Sequence, residues 1–143
     1  MTKGYIAKNL FLNGKNCSVS VVLAFKEELG LPEEALKKLF LGFGGGLARQ
    51  RLVCGAVSGM TAVISALCSD GDNKAEAYAV IQKACEDFKA EVGSVICAEL
   101  LNGIAASNTS PVPEERTSEY YKKRPCADLC ALAADIAEKY TRR

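Results

Sequence analysis

The chain has 143 residues, 49% apolar and 24% charged, with a formal net charge of +1, which describes one domain over 1–143 able to bury a core without staples. Near-neutrality and the lack of a long basic run argue against nucleic acid as the main partner. There is no His and no Trp, whereas Cys stands at 17, 54, 68, 85, 97, 126 and 130; Ser-His and Cys-His catalytic pairs and imidazole metal ligands are therefore excluded.

In chain order, residues 2–13 read as a short helix with Ile6 and Leu10 inward, stopped at Gly14. Asn16 suits an N-cap for a second helix over 17–29, which places Cys17 at its first position. Val21, Phe25 and Leu29 stripe that helix and Gly30 ends it. Pro32 fits the first turn of a third helix, with Glu33 and Glu34 at its positive end, Lys37 and Lys38 at the other, and Leu36, Leu39 and Phe40 inward. After the cluster GFGGG a fourth helix is expected over 52–68, and SDGDN at 69–73 breaks it. The fifth, over 74–92, carries an inward seam of Tyr78, Ile81, Cys85, Phe88 and Val92 and closes at Gly93. Ser94 caps a short helix over 95–101. Residues 102–123, with two prolines, read as a long loop, a candidate lid or partner segment. Pro125 opens a last helix to Tyr140, its inward stripe Cys126, Leu129, Cys130, Ala133, Ala137 and Tyr140.

Nothing alternates with a period of two, so the expected fold is an all-α, single-domain helical bundle of about five main helices plus short helical segments. Leu52–Ser69 carries no charge and is as long as a minimal membrane span, but its Gly, Ser and Thr content fits a central packed helix better, so no transmembrane span is expected. The N-terminal MTKGYIAKNLFLNGKN lacks the apolar core of a secretory signal. A cytoplasmic chain is expected, in which this many cysteines point to metal or redox chemistry rather than disulfide staples.

Four cysteines share a position. Cys17, Cys54, Cys97 and Cys126 each fall in the first turn of an expected helix, where free N–H groups and the dipole favour a thiolate. Arg49 and Arg51 precede Cys54, and Lys122, Lys123 and Arg124 precede Cys126, adding to that effect. Cys85 and Cys68 read as core or incidental. Cys130, one turn after Cys126, would serve as a resolving thiol only through a strained bridge. The spacing of the four matches no zinc-ribbon or ferredoxin run. They meet only if their helix starts converge at one end of the bundle. Glycines 44–46, Gly45 and Gly46 among them, would then let backbone N–H groups approach the sulfurs. As a phosphate cradle, GFGGG lacks both the following Gly-Lys-Ser/Thr and a preceding strand.

The chain resembles the C-GCAxxG-C-C family, small bacterial and archaeal proteins named for their cysteine pattern. The residues that carry the resemblance are Cys17 with SVSVVLAFKEELGL, LGFGGGLARQRLVCGAVSG with Cys54, Gly55, Ala56 and Gly59, CAELLNG with Cys97, and RPCADLC with Cys126. The resemblance implies that Cys17, Cys54, Cys97 and Cys126 are the functional cysteines, with Gly55 beside them, and that the role is redox or metal-linked. A related arrangement accompanies an iron–sulfur centre in split-Soret cytochromes. The first expectation is accordingly an electron-transfer protein whose four cysteines ligate an iron–sulfur cluster, most simply [2Fe–2S], with free thiols, disulfides or zinc standing in for it in some purified samples. The alternatives are thiol–disulfide exchange with Cys54 or Cys126 as attacking thiolate, and a zinc or other metal module for a transport or regulatory partner, since members of the family tend to lie near transporter genes. The expected partner is a redox protein or a small oxidant or reductant; a homodimer would complete a pocket at the bundle end.

Overall fold

The computed structural model describes residues 1–104 and 106–142; residue 105, within the expected loop, lies outside that description. The helices in order are α1 (Lys3–Leu12), α2 (Cys17–Ala24), α3 (Lys26–Leu29), α4 (Glu33–Phe40), α5 (Gly55–Cys68), α6 (Lys74–Val92), α7 (Cys97–Leu100), α8 (Ser118–Lys123) and α9 (Cys126–Thr141), with a 3-10 turn at Leu41–Phe43. The fold is all-α. Val53 and Ile96 form an isolated antiparallel bridge. No described helix is long and apolar enough to cross a membrane.

The uncharged α5 is the central helix, packed against α2, α9, α6 and α3, while α1 lies on α9 and α2. The core they share is Val21, Val22, Phe25, Met60, Val63, Ile64, Phe88, Leu129, Ala133, Ala134 and Ala137. Small residues set the closeness of the central crossing. A Cβ on Gly59 would lie 2.9 Å from Cβ of Val21 and 3.0 Å from the Ser18 carbonyl, so the glycine lets α2 settle onto α5 backbone to side chain. At the start of α1, Asp135 and Glu138 of α9 accept the N–H groups of Gly4 (2.8 Å) and Lys3 (3.3 Å), satisfying donors that the helix itself leaves free.

The expected caps and stops hold where side-chain chemistry is local. Asn16 Oδ1 accepts the Val19 N–H at 3.0 Å, and Gly30 and Gly93 end their helices with φ of 68° and 91°. The differences are tertiary in origin. The helix expected over 17–29 is two, divided at Phe25, whose buried ring lies 5.1 Å from Lys3 Nζ. The Ala24 carbonyl accepts that ammonium at 3.0 Å. The helix expected from residue 52 starts three residues later, because 51–54 pairs with 95–98 instead: the Cys54 N–H donates to the Val95 carbonyl (2.8 Å) and the Cys97 N–H to Leu52 (2.6 Å). Leu39 is 59% exposed and Tyr78 58% exposed. Helix α6 packs from outside on α5 and α9, and only Ala84 and Phe88 of it are fully buried. Within the expected loop 102–123, α8 forms instead, with Thr117 as its N-cap accepting the Tyr120 N–H.

Candidate functional site

Three cysteines stand at helix starts of real length or just before one. Cys17 and Cys126 are the first residues of α2 and α9, and Cys54 is the N-cap of α5. Cys97 opens the single turn α7. The pairing of 51–54 with 95–98 sets Cys54 beside Cys97, and the α2–α5–α9 packing sets Cys17 and Cys126 over the same end of the bundle. All four line one cavity of about 400 Å³. Cys68 and Cys85 do not line it; Cys68 Sγ contacts the Tyr140 carbonyl at the opposite end of α5, at 3.4 Å. Cys130 lies behind Cys17, fully buried, its Sγ 3.9 Å from the Cys17 carbonyl. All seven cysteines are free.

Two glycines of the site are there for room. A Cβ on Gly46 would meet Cβ of Cys97 at 2.6 Å and the Leu52 nitrogen at 2.7 Å; one on Gly55 would meet the Phe43 carbonyl at 2.8 Å and Cβ of Cys17 at 3.2 Å. Gly45 lines the cavity as well. It also begins a run of left-handed backbone in which Gly45, Gly46, Leu47, Ala48 and Arg49 have φ of 67°, 73°, 67°, 50° and 67°, followed by Arg51 at 64°. For each residue with a Cβ this conformation costs about 1–2 kcal/mol. Hydrogen bonds across the loop hold it: Ala48 N–H to the Gly42 carbonyl (2.8 Å), Arg51 to Gly45 (3.1 Å) and Leu52 to Gly46 (2.9 Å).

This loop delivers two guanidinium groups to the cavity, though not to the cysteine they precede. Arg51 is 6% exposed and its Nη1 lies 3.8 Å from Sγ of Cys97, not beside Cys54. Arg49 forks onto Glu114 at 2.6 and 3.0 Å, and Arg124 reaches the same carboxylate at 3.1 Å. Lys122 and Lys123, also expected to act on Cys126, are exposed on α8 and do not line the cavity. Glu114 belongs to a strap, residues 106–117, that closes one side of the cavity with Pro111 and Pro113. The strap is fastened a second time by Arg116, stacked 4.1 Å from the Phe11 ring centre and donating to the carbonyls of Phe11 (2.6 Å) and Lys15 (2.9 Å). Glu114, Arg116 and Tyr120 were not singled out from sequence. Their only signal was their place in a long loop next to a cysteine.

The electrostatics reverse one expectation. Helix starts were expected to favour thiolates, but the thiols of Cys17, Cys54, Cys97 and Cys126 are all raised. Burial pushes Cys54 up to about 12 despite the N–H groups of Ala56 and Val57 pulling it down. Cys126 is raised by its hydrogen bond with Cys17 and by burial. For Cys17, the bond with Cys126 pulls down, and the bond with Cys130 together with burial carries it well above a free thiol. Cys97 is raised by burial, with Arg51 opposing. Glu114, forked by Arg49, is held down at about 2. Among the described residues no group of three or more His, Cys, Asp or Glu side chains stands arranged to hold a metal ion.

Residues 15–140 match the profile of a family described as "Putative redox-active protein (C_GCAxxG_C_C)". No curated protein matches the chain. No solved structure matches it either.

Proposed function

We propose an electron-transfer role for this chain, which belongs to the C_GCAxxG_C_C family, with Cys17, Cys54, Cys97 and Cys126 ligating an iron–sulfur cluster, most simply [2Fe–2S]. The observation that carries the reading is that four cysteines from four separate helices line a single cavity. The donor set fits the group: it is thiol only, with no imidazole in the chain, and thiolate ligation suits iron–sulfur clusters.

Bound there, the cluster would supply a one-electron couple. The chain's own residues prepare its setting. Gly46 and Gly55 leave room beside Cys97 and Cys17; Arg51 and Arg124 offset thiolate charge; the strap with Pro111 and Pro113 limits water on one side. Residues 1–143 act as one domain, in a reducing compartment such as the cytoplasm, where free thiols persist. The partner is a redox protein or a small oxidant or reductant. The test is anaerobic preparation with iron and sulfide, followed by counting both. About two of each per chain are expected, and serine at any one of the four cysteines should lower the count. Neither iron nor sulfide retained by the wild-type chain would remove the cluster.

A second reading, thiol–disulfide exchange through Cys54 or Cys126, draws support from the thiol contact between Cys17 and Cys126. Burial of the attacking groups weighs against it, because the thiolate is the nucleophile.

A further inference from the structure

The arginine wall of the cavity carries more positive charge than its carboxylate balances. Glu114 is the single acidic side chain lining the cavity among the described residues. It faces Arg49, Arg51 and Arg124 at 2.6, 3.6 and 3.1 Å, and the three arginine side chains are only 12%, 5% and 7% exposed. Two of these guanidinium groups are well satisfied. Arg49 spends its fork on the carboxylate and its Nε on the Ser110 carbonyl; Arg124 stacks on the Tyr120 ring at 4.6 Å.

Arg51 is not. Its Nε donates to the Asn108 carbonyl at 3.1 Å and Nη1 leans on Cys97 Sγ. Nη2 is buried without an acceptor, since Glu114 Oε1 at 3.6 Å lies beyond hydrogen-bond reach. A buried guanidinium donor with no acceptor is costly, and an incoming oxygen removes that cost.

We propose that Arg49, Arg51 and Arg124 form the binding site of a small oxygen-bearing dianion, and that Glu114 is the internal carboxylate which such an anion replaces. The guanidinium fork recognises carboxylates and tetrahedral oxyanions alike through paired N–H donors. With the four thiols protonated, three cations against one anion leave charge for a dianion, and a cavity of about 400 Å³ is far larger than one carboxylate requires. Glu114 is also the more exposed partner of the set. It rides on the proline-bearing strap and is 26% exposed, whereas Arg51 is rooted in backbone paired with 95–98. The anion would then lie against Cys97, so the inference extends the redox reading by naming the class of molecule brought to the thiols.

The test titrates the reduced, full-length protein with inorganic phosphate and separately with oxalate, against chloride at equal ionic strength, by calorimetry. One of the two oxygen-bearing anions should saturate a single site per chain. Phosphate winning identifies a tetrahedral ligand, and oxalate winning a planar carboxylate. Arg51→Gln should weaken binding about tenfold or more, and Glu114→Gln should tighten it about tenfold by removing the internal competitor. Circular dichroism checks that each variant folds. If Arg51→Gln does not, the wild-type comparison with chloride and the Glu114→Gln titration still decide. Heats no larger than chloride's for both anions overturn the proposal, and so does a Glu114→Gln protein that binds no tighter. Iron and sulfide counts on the same preparation are read separately: iron retained without an anion site sinks this inference alone, while an anion site without iron sinks only the cluster.

Discussion

Cys54 carries two opposing influences in one side chain. At the N-cap position of α5 it lies close to the N–H groups of Ala56 and Val57, which favour the thiolate, yet it is buried deeply enough that the thiol is raised to about 12. The desolvation of a charge outweighs a helix start when no cation shares the burial. In metal-free protein, alkylation at Cys54 should therefore be slow at neutral pH and accelerate only as pH approaches that value, read by mass spectrometry of quenched samples. Rapid labelling of Cys54 near pH 7 would instead favour the thiol-exchange reading. Arg51 makes the same point from the other side. Three residues before Cys54 in sequence, it serves Cys97, because left-handed backbone at Arg49 and Arg51 turns their side chains into the cavity.

At the scale of the element, the CGAxxG stretch is a device for close packing. Cys54 caps α5, Gly55 clears Cβ of Cys17, Ala56 is fully buried, and Gly59 one turn on clears Val21. Together they draw the start of α2 onto the start of α5, so that two cysteines 37 positions apart face one space. Asn16 fixes that start. Its Oδ1 caps Val19, its Nδ2 donates to the Leu41 carbonyl at 2.9 Å, and Gly44 is pressed against its side chain. Asn16→Ala should cost about 1 kcal/mol from the cap alone, with a further loss from the Nδ2 bond to the Leu41 carbonyl. Urea denaturation measures this. A variant as stable as the wild type would mean that packing by Gly44 and Gly55 alone positions Cys17.

Across the whole molecule, Glu114 ties the strap to both ends of the site, joining Arg49 and Arg51 of the glycine loop to Arg124 before α9. Its carboxyl falls from an ordinary 4.5 to about 2 on folding, chiefly through Arg49. A depressed folded value means stability present above the unfolded pKa and lost as pH falls towards the folded one. The wild type should thus exceed Glu114→Gln in melting temperature at pH 6, with the gap closing between about pH 4.5 and 2. A gap constant through that window would mean that the strap is held by Arg116 and the prolines instead. Local signals were legible in the chain itself. The cap at Asn16, the stops at Gly30 and Gly93, the uncharged run of α5 and the helix-start placement of Cys17 and Cys126 are local in the chain, which sequence records directly. The start of α5, the break at Phe25, the turn of Arg51 towards Cys97 and the strap's grip through Glu114 and Arg116 were not. Each depends on a hydrogen bond or ion pair to a residue more than 20 positions away, and such pairings exist only once packing brings the two segments together. The amino-acid order thus determined the helical class and which cysteines stand at helix starts; the tertiary fold decided that they share one cavity, where burial and the contacts between the thiols themselves raise all four, because both arise only when distant segments pack together.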